Sequence, residues 1–259
     1  MTIAADSIPP QAPESPEVAG QRVPWDGRDV FIGLLLLVAL LTVVPLPIIG
    51  PLLAIYGDDS RPTLITAVAV SGLVYAGIIA IAARLTFGKY GGGWERLGMR
   101  PVTWAVIGWS VATLAAVFAI SAGYAGLLAW LDIDALQQGT CDQVPSEIRD
   151  DRVILAMTSV VAVLFAPAAE ELFYRGFVFP GLARVWGVAA GIVASGILFS
   201  LSHLLGNPVL YKSAILFALI GIVFAFSYQR TGNIFTTVFA HATFNLLGVV
   251  SIAATSCSE

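Results

Sequence analysis

Long segments without a charged residue alternate along the chain with short segments that carry nearly all of its Asp, Glu, Lys and Arg. Seven segments lack these four residue types: 31–57, 62–83, 101–131, 153–169, 185–211, 213–229 and 231–258. A helix of about 20 apolar residues crosses the ~30 Å hydrocarbon layer of a bilayer. The apolar runs are continuous rather than alternating, which argues against the strands of a membrane barrel. We therefore predict an all-α fold, a polytopic transmembrane helical bundle with about seven spans.

The composition excludes two broad classes of protein. Hydrophobic residues make up 58% of the 259 residues and charged residues 12%, against about 25% charged residues in ordinary soluble domains. So few charges cannot cover the surface of a soluble domain of this size. The 13 Lys and Arg against 17 Asp and Glu leave no basic excess, so we expect no nucleic-acid partner. The expected surroundings are membrane lipids.

The chain divides into three predicted regions. Residues 1–29 carry several prolines among acidic side chains and are predicted to form a disordered cytoplasmic tail. Residues 30–253 form the membrane-embedded helical domain, and residues 254–259 form a short external tail. Prolines lack the N–H that continues a helix. The first span is therefore predicted to kink or break at three positions: Pro45, Pro47 and Pro51.

The charges of the loops predict an orientation. The segment 84–101 carries four basic residues against one acidic residue, and the positive-inside rule places it in the cytoplasm. The loops 58–61 and 132–152 are acidic on balance and are predicted to be external. The N-terminus is then cytoplasmic and the C-terminus external, in a multi-pass protein of the plasma membrane. Cys141 and Cys257 would both be external, either as a disulfide or as two unpaired thiols.

Chemistry is expected among the polar side chains inside the spans, because an ionisable group costs several kcal/mol there and is a functional candidate by default. The candidates lie in the fourth, fifth and seventh spans: Glu170, Glu171, Arg175, His203, His241 and Asn245. The two histidines are the only ones in the chain. We interpret their occurrence with two adjacent carboxylates as one shared site rather than as separate packing residues.

Helical spacing separates the two glutamates. Glu171 and Arg175 are four residues apart and can form an ion pair on one helix face. Glu170 is rotated by about 100° from Glu171 and is left for acid–base chemistry. The alternative is that all three form one structural cluster near the cytoplasmic end of the span.

Two further pairs are spaced by four residues and share a helix face: His241 with Asn245, and Phe199 with His203. The phenylalanine ring is predicted to form an apolar wall beside the imidazole.

The predicted depths of Glu170 and His203 in the membrane differ. If the fourth helix ends near Pro180, Glu170 lies about 15 Å from that end. His203 lies about 24 Å from the same face if the fifth helix begins at Gly187, so tilt or a later helix start must close the gap.

Three motifs combine these residues: EExxxR at 170–175, FxxxH at 199–203 and HxxxN at 241–245. In this order and in separate spans, they resemble the CPBP family, which groups type II CAAX prenyl-protein endopeptidases with bacteriocin-processing, Abi-like proteins. Two further runs are similar to the family: 94–98 before the third span and 231–234 before the seventh. The resemblance covers about residues 94–250 and implies an intramembrane endopeptidase.

The resemblance also implies a role for each matched residue. Glu170 and His203 would activate a water for attack on a peptide carbonyl. His241 and Asn245 would stabilise the oxyanion that forms on the substrate. Three further residues would support this arrangement: Glu171, Arg175 and Phe199. The implied substrate is a membrane-anchored protein or peptide.

A zinc-dependent version of the same peptidase is one alternative, because Glu170, His203 and His241 are an accepted zinc ligand set. However, the sequence contains no HExxH motif, and a zinc site would need a further general base. Glu171 could be that base, but its spacing from Arg175 favours an ion pair. We therefore favour a mechanism without a cofactor.

Other intramembrane proteases fit the sequence poorly. The run 194–196 is close to a rhomboid serine motif, but Val193 stands where the first glycine belongs. Ser195 is about 12 Å from His203 along one helix, too far for a hydrogen bond, and a pair with His241 has no support. An aspartyl protease needs two membrane aspartates, and none follows Asp151.

Two classes outside proteolysis remain as alternatives. A bacteriocin-immunity or scaffold protein would keep the fold and use the polar cluster structurally, although it has no reason to keep the complete motif set. A transporter could use Glu170 and His241 as a proton relay, but the two-fold repeat usual in transporters is absent. For the favoured endopeptidase, we expect a cavity that opens to the cytoplasm.

Overall fold

The structure is a computed structural model that describes residues 17–20, 22–133, 136, 144–206 and 208–255. Seven helices within these ranges are long and apolar enough to cross a membrane. They confirm the predicted all-α bundle and the number of spans, and the chain is a multi-pass membrane protein. Cys141 and Cys257 lie outside the described residues, so their pairing stays a prediction.

The seven spans follow the charge-free segments closely in number and order. Their bounds are Gly27–Tyr56, Arg61–Tyr90, Trp104–Trp130, Arg152–Trp186, Val188–Leu205, Tyr211–Thr231 and Phe235–Ala254. Three short helical segments lie beside them: Trp94–Leu97, Ser146–Arg149 and Pro208–Ser213. The regular α-helix of the sixth span begins at Ala214, after the last of these segments.

The first span is interrupted before Pro45, as predicted, but its second helix continues through Pro47 and Pro51 without a break. One α-helix covers Gly27–Val43 and a second covers Pro45–Tyr56. Pro45 occupies the first turn of the second helix, where its missing N–H leaves no bond unmade. Pro51 lies inside the second helix.

The fourth span continues far beyond its charge-free segment and ends at Trp186. Glu170, Glu171 and Arg175 lie within it and are buried by the surrounding protein. Because these groups face protein rather than lipid, the helix can carry them through the middle of the membrane domain. The length of the charge-free segment therefore underestimates the length of this span.

The longer fourth span also removes the expected difference in depth. The helix passes Pro180 without ending there, so the estimate based on a helix end at that residue is wrong. Glu170 lies 16 residues before Trp186, or about 24 Å along the helix. His203 lies 15 residues after Val188, or about 22 Å, so the two side chains reach the same level.

Two π-helical segments flank the glutamates in the fourth span: Val161–Phe165 and Leu172–Val178. Each ends just before a proline, Pro167 or Pro180, which has no N–H to continue the hydrogen-bond ladder. The α-helical segment Ala166–Glu171 lies between them and ends with both glutamates. Because π-helical turns are wider, they change which side chains share a face, and they are frequent at functional sites.

The described part of the segment before the first span packs against the bundle, which differs from the disordered tail predicted for residues 1–29. It carries three buried apolar side chains: Val18, Val23 and Trp25. The indole Nε1 of Trp25 donates to the carbonyl of Phe177 at 2.9 Å. The N–H of Ala19 donates to Oε1 of Gln229 at 2.8 Å. Apolar burial and these hydrogen bonds explain why the segment is ordered although it precedes the membrane domain.

The span ends form two opposite ends of the bundle. The basic end holds Gly27, Tyr90, Trp104, Trp186, Val188, Thr231 and Phe235, and the acidic end holds Tyr56, Arg61, Trp130, Arg152, Leu205, Tyr211 and Ala254. At the basic end, the N–H of Ile234 donates to the carbonyl of Gly98 at 2.8 Å. At the acidic end, Arg61 and Asp151 form an ion pair at 2.7 Å. These contacts show that the spans alternate in direction.

Asp151 fixes the start of the fourth span. Its carboxylate accepts hydrogen bonds from the backbone N–H groups of Val153 and Ile154, which is the usual capping arrangement of an aspartate. The hydrogen bond from the Arg61 guanidinium holds the pKa of Asp151 below its usual range. The second and fourth spans are thereby joined at the acidic end.

Candidate active site

Three of the predicted residues converge in the middle of the bundle. Oε2 of Glu170 lies 3.9 Å from Nε2 of His203 and 3.9 Å from Nε2 of His241. The glutamate comes from the short α-helical segment between the two π-helical segments, and the histidines come from the fifth and seventh spans. The structure therefore assembles one site from residues more than 30 positions apart.

The two oxygens of the Glu170 carboxylate have different surroundings. Oε1 accepts a long hydrogen bond, 3.4 Å, from the hydroxyl of Tyr75 in the second span. Oε2 is buried and has no hydrogen-bond partner within the described part of the chain. A buried polar atom without a partner carries a desolvation penalty. Oε2, which faces both imidazoles, is thus the oxygen available for chemistry.

The hydrogen-bond partners of Nδ1 indicate which nitrogen carries the proton in each histidine ring. Nδ1 of His203 lies 2.9 Å from the carbonyl oxygen of Phe199, and Nδ1 of His241 lies 2.9 Å from Oε1 of Glu171. A carbonyl and a carboxylate can only accept, so each Nδ1 donates and each Nε2 is presented to Glu170. The Phe199 ring centroid lies 4.6 Å from that of His203, which confirms the predicted apolar wall.

The predicted ion pair between Glu171 and Arg175 is present. Nη1 of Arg175 lies 3.0 Å from Oε1 of Glu171, and both side chains are fully buried. Because the same Oε1 accepts the hydrogen bond from His241, Glu171 connects the guanidinium to an imidazole of the site. The geometry thus distinguishes Glu171, which contacts Arg175 and His241, from Glu170, whose Oε2 is without a partner among the described residues.

Besides the carboxylate of Glu171, other groups hold the side chain of Arg175 in place. Its Nη2 donates to the carbonyl of Gly221 at 3.2 Å, and its guanidinium carbon lies 4.4 Å from the centre of the Phe199 ring and 5.1 Å from that of Phe224. Such contacts with aromatic rings are favourable for a guanidinium. A Cβ on Gly221 would come within 2.8 Å of Cα of Gly196. These two glycines let the fifth and sixth spans approach closely enough for the carbonyl to reach Arg175.

Asn245 ties the seventh span to the fourth at the first π-helical segment. Its Nδ2 donates to the carbonyl of Ala162 at 2.8 Å. In the π-helical pattern, the N–H of Ala166 bonds to the carbonyl of Val161. The next donor in that pattern would be Pro167, which has no N–H, so Asn245 satisfies the carbonyl instead. The amide keeps its second N–H for another acceptor.

A cavity of about 810 Å³ connects the site to the acidic end of the bundle. Its lining includes the four residues predicted to be catalytic: Glu170, His203, His241 and Asn245. The lining continues to Leu128, Lys212 and Ile252, which lie close to the span ends of the acidic end. From the sequence we expect a cavity that opens to the cytoplasm, and we also expect the loops at this end of the bundle to be external. Because the cavity extends to this end, the two expectations exclude each other.

The residues of the proposed zinc set are close together but are not arranged as a zinc site. An imidazole and a carboxylate that share a tetrahedral zinc at about 2.1 Å keep their ligand atoms about 3.4 Å apart, whereas Glu170 lies 3.9 Å from both histidines. Across the described ranges, no group of three or more His, Cys, Asp or Glu side chains could hold a metal ion. The cofactor-free mechanism stays a prediction.

Ser195 has a structural partner away from the glutamate. Its hydroxyl is buried and donates to the carbonyl of Tyr174 at 3.1 Å. A contact with Glu170 that the sequence did not indicate comes from Tyr75. A tyrosine in an apolar helix is ordinary by pattern, and only the packing of the second span on the fourth brings its hydroxyl to Glu170.

The similarity of this chain to a known protein family lies in the second half of the chain. Residues 152–247 match a protein family described as type II CAAX prenyl endopeptidase, Rce1-like, which is a family of proteases. The matched segment holds all three motifs. No curated protein and no solved structure matches the chain. The match agrees with the motif order and with the helical bundle, and it supports the similarity of this chain to the CPBP family that the motifs indicate.

Proposed function

We propose that this protein is an intramembrane endopeptidase that hydrolyses peptide bonds of membrane-anchored proteins or peptides. One observation carries the proposal. Oε2 of Glu170 has no partner within the described residues, lies 3.9 Å from Nε2 of both histidines, and forms part of the wall of a cavity of about 810 Å³. A carboxylate beside two imidazoles in a large cavity can activate water against a bound peptide.

The proposed reaction needs no covalent intermediate with the enzyme. The oxygen of a water attacks the carbonyl carbon of the peptide while one water proton passes to Glu170. His203 accepts a hydrogen bond from this water at Nε2, because its Nδ1 proton is engaged with the carbonyl of Phe199. The carbon–nitrogen bond then breaks, and Glu170 gives the proton to the leaving amine. A general base of this kind contributes about 10²–10⁴-fold to the rate.

Asn245 and His241 stabilise the oxyanion in this proposal. Asn245 uses the N–H that is not bonded to Ala162. His241 can donate from Nε2 only when both ring nitrogens carry protons, since its Nδ1 proton is bonded to Glu171. The carboxylate of Glu171 then balances the charge of the ring. Each oxyanion donor of this kind contributes a few kcal/mol to lowering the barrier.

The proposal is tested by hydrolysis in H₂¹⁸O. Purified protein in lipid nanodiscs is incubated with a library of peptides attached to a single lipid anchor, and the products are analysed by mass spectrometry. We expect new C-termini that each contain one ¹⁸O atom, and no such products with the His203→Ala variant. If the wild-type protein produces no more labelled termini than this variant, the proposal is wrong and a scaffold or immunity role gains support.

Metal removal is expected to leave the activity unchanged. The protein is dialysed against 1,10-phenanthroline, the chelator is removed, and turnover is measured beside total zinc by mass spectrometry. We expect turnover within about twofold of the untreated protein, because the proposed base is a carboxylate rather than a metal-bound water. A known zinc peptidase treated in parallel shows that chelation works. Loss of activity that zinc restores would instead support the ligand set of Glu170, His203 and His241.

Replacing Tyr75 by phenylalanine is expected to lower kcat about fivefold and to leave KM unchanged. The hydroxyl orients the base through Oε1, and a hydrogen bond of about 1 kcal/mol corresponds to a change of this size. Tyr124→Phe is the matched control, because the Tyr124 hydroxyl lines the same cavity and has no hydrogen-bond partner among the described residues. Equal kcat values in the two variants would contradict a positioning role for Tyr75.

A further inference from the structure

We infer that substrates reach the catalytic cavity from the extracytoplasmic side of the membrane, so that the enzyme acts on membrane-anchored peptides that have already been exported. This inference rests on the proposed function and adds the side from which the scissile bond arrives. Two independent features of the chain carry it: the distribution of basic residues between the bundle ends, and the location of the cavity and of the filled core.

Basic residues are concentrated at the basic end. Eight of the 13 Lys and Arg lie before the first span or close to span ends there: Arg22, Arg28, Arg84, Lys89, Arg96, Arg100, Arg184 and Arg230. Four lie close to the acidic end: Arg61, Arg149, Arg152 and Lys212. Short loops rich in Lys and Arg stay in the cytoplasm, and this bias depends on basic residues rather than on net charge. The basic end is therefore the cytoplasmic end.

The interior between the site and the basic end is filled. Its large side chains are fully buried: Phe173, Arg175, Phe177, Phe179, Phe224 and Tyr228. Trp25 adds a further buried ring from the segment before the first span and bonds to the carbonyl of Phe177. Protein interiors packed in this way leave no passage for a peptide. Between Glu170 and the cytoplasmic end, these buried side chains occupy the interior of the described structure.

The cavity extends in the opposite direction. From Glu170 and His203 it passes Leu155 in the first turns of the fourth span and reaches Lys212 before the helix of the sixth. Ile252, near the end of the seventh span, belongs to the same lining. A peptide bond that reaches Glu170 therefore comes through the acidic end, which the basic-residue bias places outside the cytoplasm.

The orientation is tested by cysteine labelling in intact bacterial cells. In a background of Cys141→Ser and Cys257→Ser, single cysteines are introduced by Glu147→Cys at the acidic end and Glu95→Cys at the basic end, both exposed positions. A membrane-impermeant maleimide is expected to label position 147 in intact cells. Position 95 is expected to be labelled only after the cells are permeabilised. The reverse pattern would overturn the inference, whether or not the protein is a peptidase.

The side of cleavage is tested with paired reporters. A peptide that the purified enzyme cleaves is attached to a transmembrane anchor so that it lies next to the membrane on either the outer or the cytoplasmic surface. Cells with the wild-type enzyme are expected to cleave only the outer reporter, and cells with Glu170→Gln neither. Cleavage of the cytoplasmic reporter by the wild-type enzyme alone would overturn the inference while supporting the peptidase. If the purified protein cleaves no peptide, the proposed function fails and the inference falls with it.

Discussion

The Glu170→Gln variant is expected to hydrolyse tethered peptides about a thousandfold more slowly than the wild-type protein, with an unchanged melting temperature. Glutamine keeps the size of the side chain and an oxygen that can accept the hydrogen bond of Tyr75, but it cannot take a proton from water. Loss of a general base lowers rates by about 10²–10⁴-fold. Initial rates at saturating peptide and thermal unfolding in nanodiscs measure the two quantities.

Two further variants test whether the loss of activity is specific to the carboxylate of Glu170. Glu147→Gln removes an exposed carboxylate at the acidic end and is expected to leave the rate within about twofold of wild type, as surface substitutions usually have small effects. Glu170→Asp keeps the acid but draws it back by one methylene, and is expected to retain more activity than glutamine. A Glu170→Gln variant with more than about a tenth of the wild-type rate would exclude this carboxylate as the base.

The spans were predictable because lipid accepts few charges, so each charge-free run corresponds to a helix. The fourth span shows the limit of that rule. Its charge-free run ends at residue 169, yet the helix continues to Trp186. The glutamates and Arg175 bond to protein groups inside the bundle. Whether a charge ends a span or lies within it depends on partners from other helices, which a linear pattern does not contain.

The composition of the site was predictable, but its connections were only partly so. Glu171 and Arg175 are four positions apart, and their ion pair follows from helix geometry. The contact of His241 with Glu171 joins residues 70 positions apart, and no local rule indicates it. The bond from Asn245 to Ala162 exists because a proline leaves a carbonyl without its donor. That proline is visible in the sequence, although the side chain that compensates for it is not.

The segment before the first span shows how composition can mislead over a short range. Its prolines and acidic residues suggested disorder as far as residue 29, but Val18, Val23 and Trp25 are buried against the bundle. Asp29, counted as part of that tail, lies in the first helical turn and bonds to Lys89 and Tyr90. A few apolar side chains and one paired carboxylate are enough to attach the segment to the cytoplasmic end that we propose.

Arg175→Met is expected to destabilise the protein by about 3–5 kcal/mol, the usual effect of removing one partner of a buried ion pair. Glu171 would stay buried without its cationic partner, although the Nδ1–H of His241 would still donate to it. In a protein of this size, the melting temperature is expected to fall by roughly 10 °C. The exposed pair of Arg61 and Asp151 provides the matched control. Arg61→Met is expected to change stability by less than about 1 kcal/mol.

The double variant Glu171→Gln with Arg175→Met separates folding from catalysis. Removing both charges leaves neither member of this pair buried without its partner, so the melting temperature is expected to lie above that of Arg175→Met, because contacting partners are not additive. The glutamine that replaces Glu171 can still accept the His241 hydrogen bond, but it has no negative charge to balance a doubly protonated ring. Peptide hydrolysis is therefore expected to stay at least about tenfold below wild type, as for the loss of an oxyanion donor. Recovery of both stability and activity would show that the charge of Glu171 serves only to pair with Arg175.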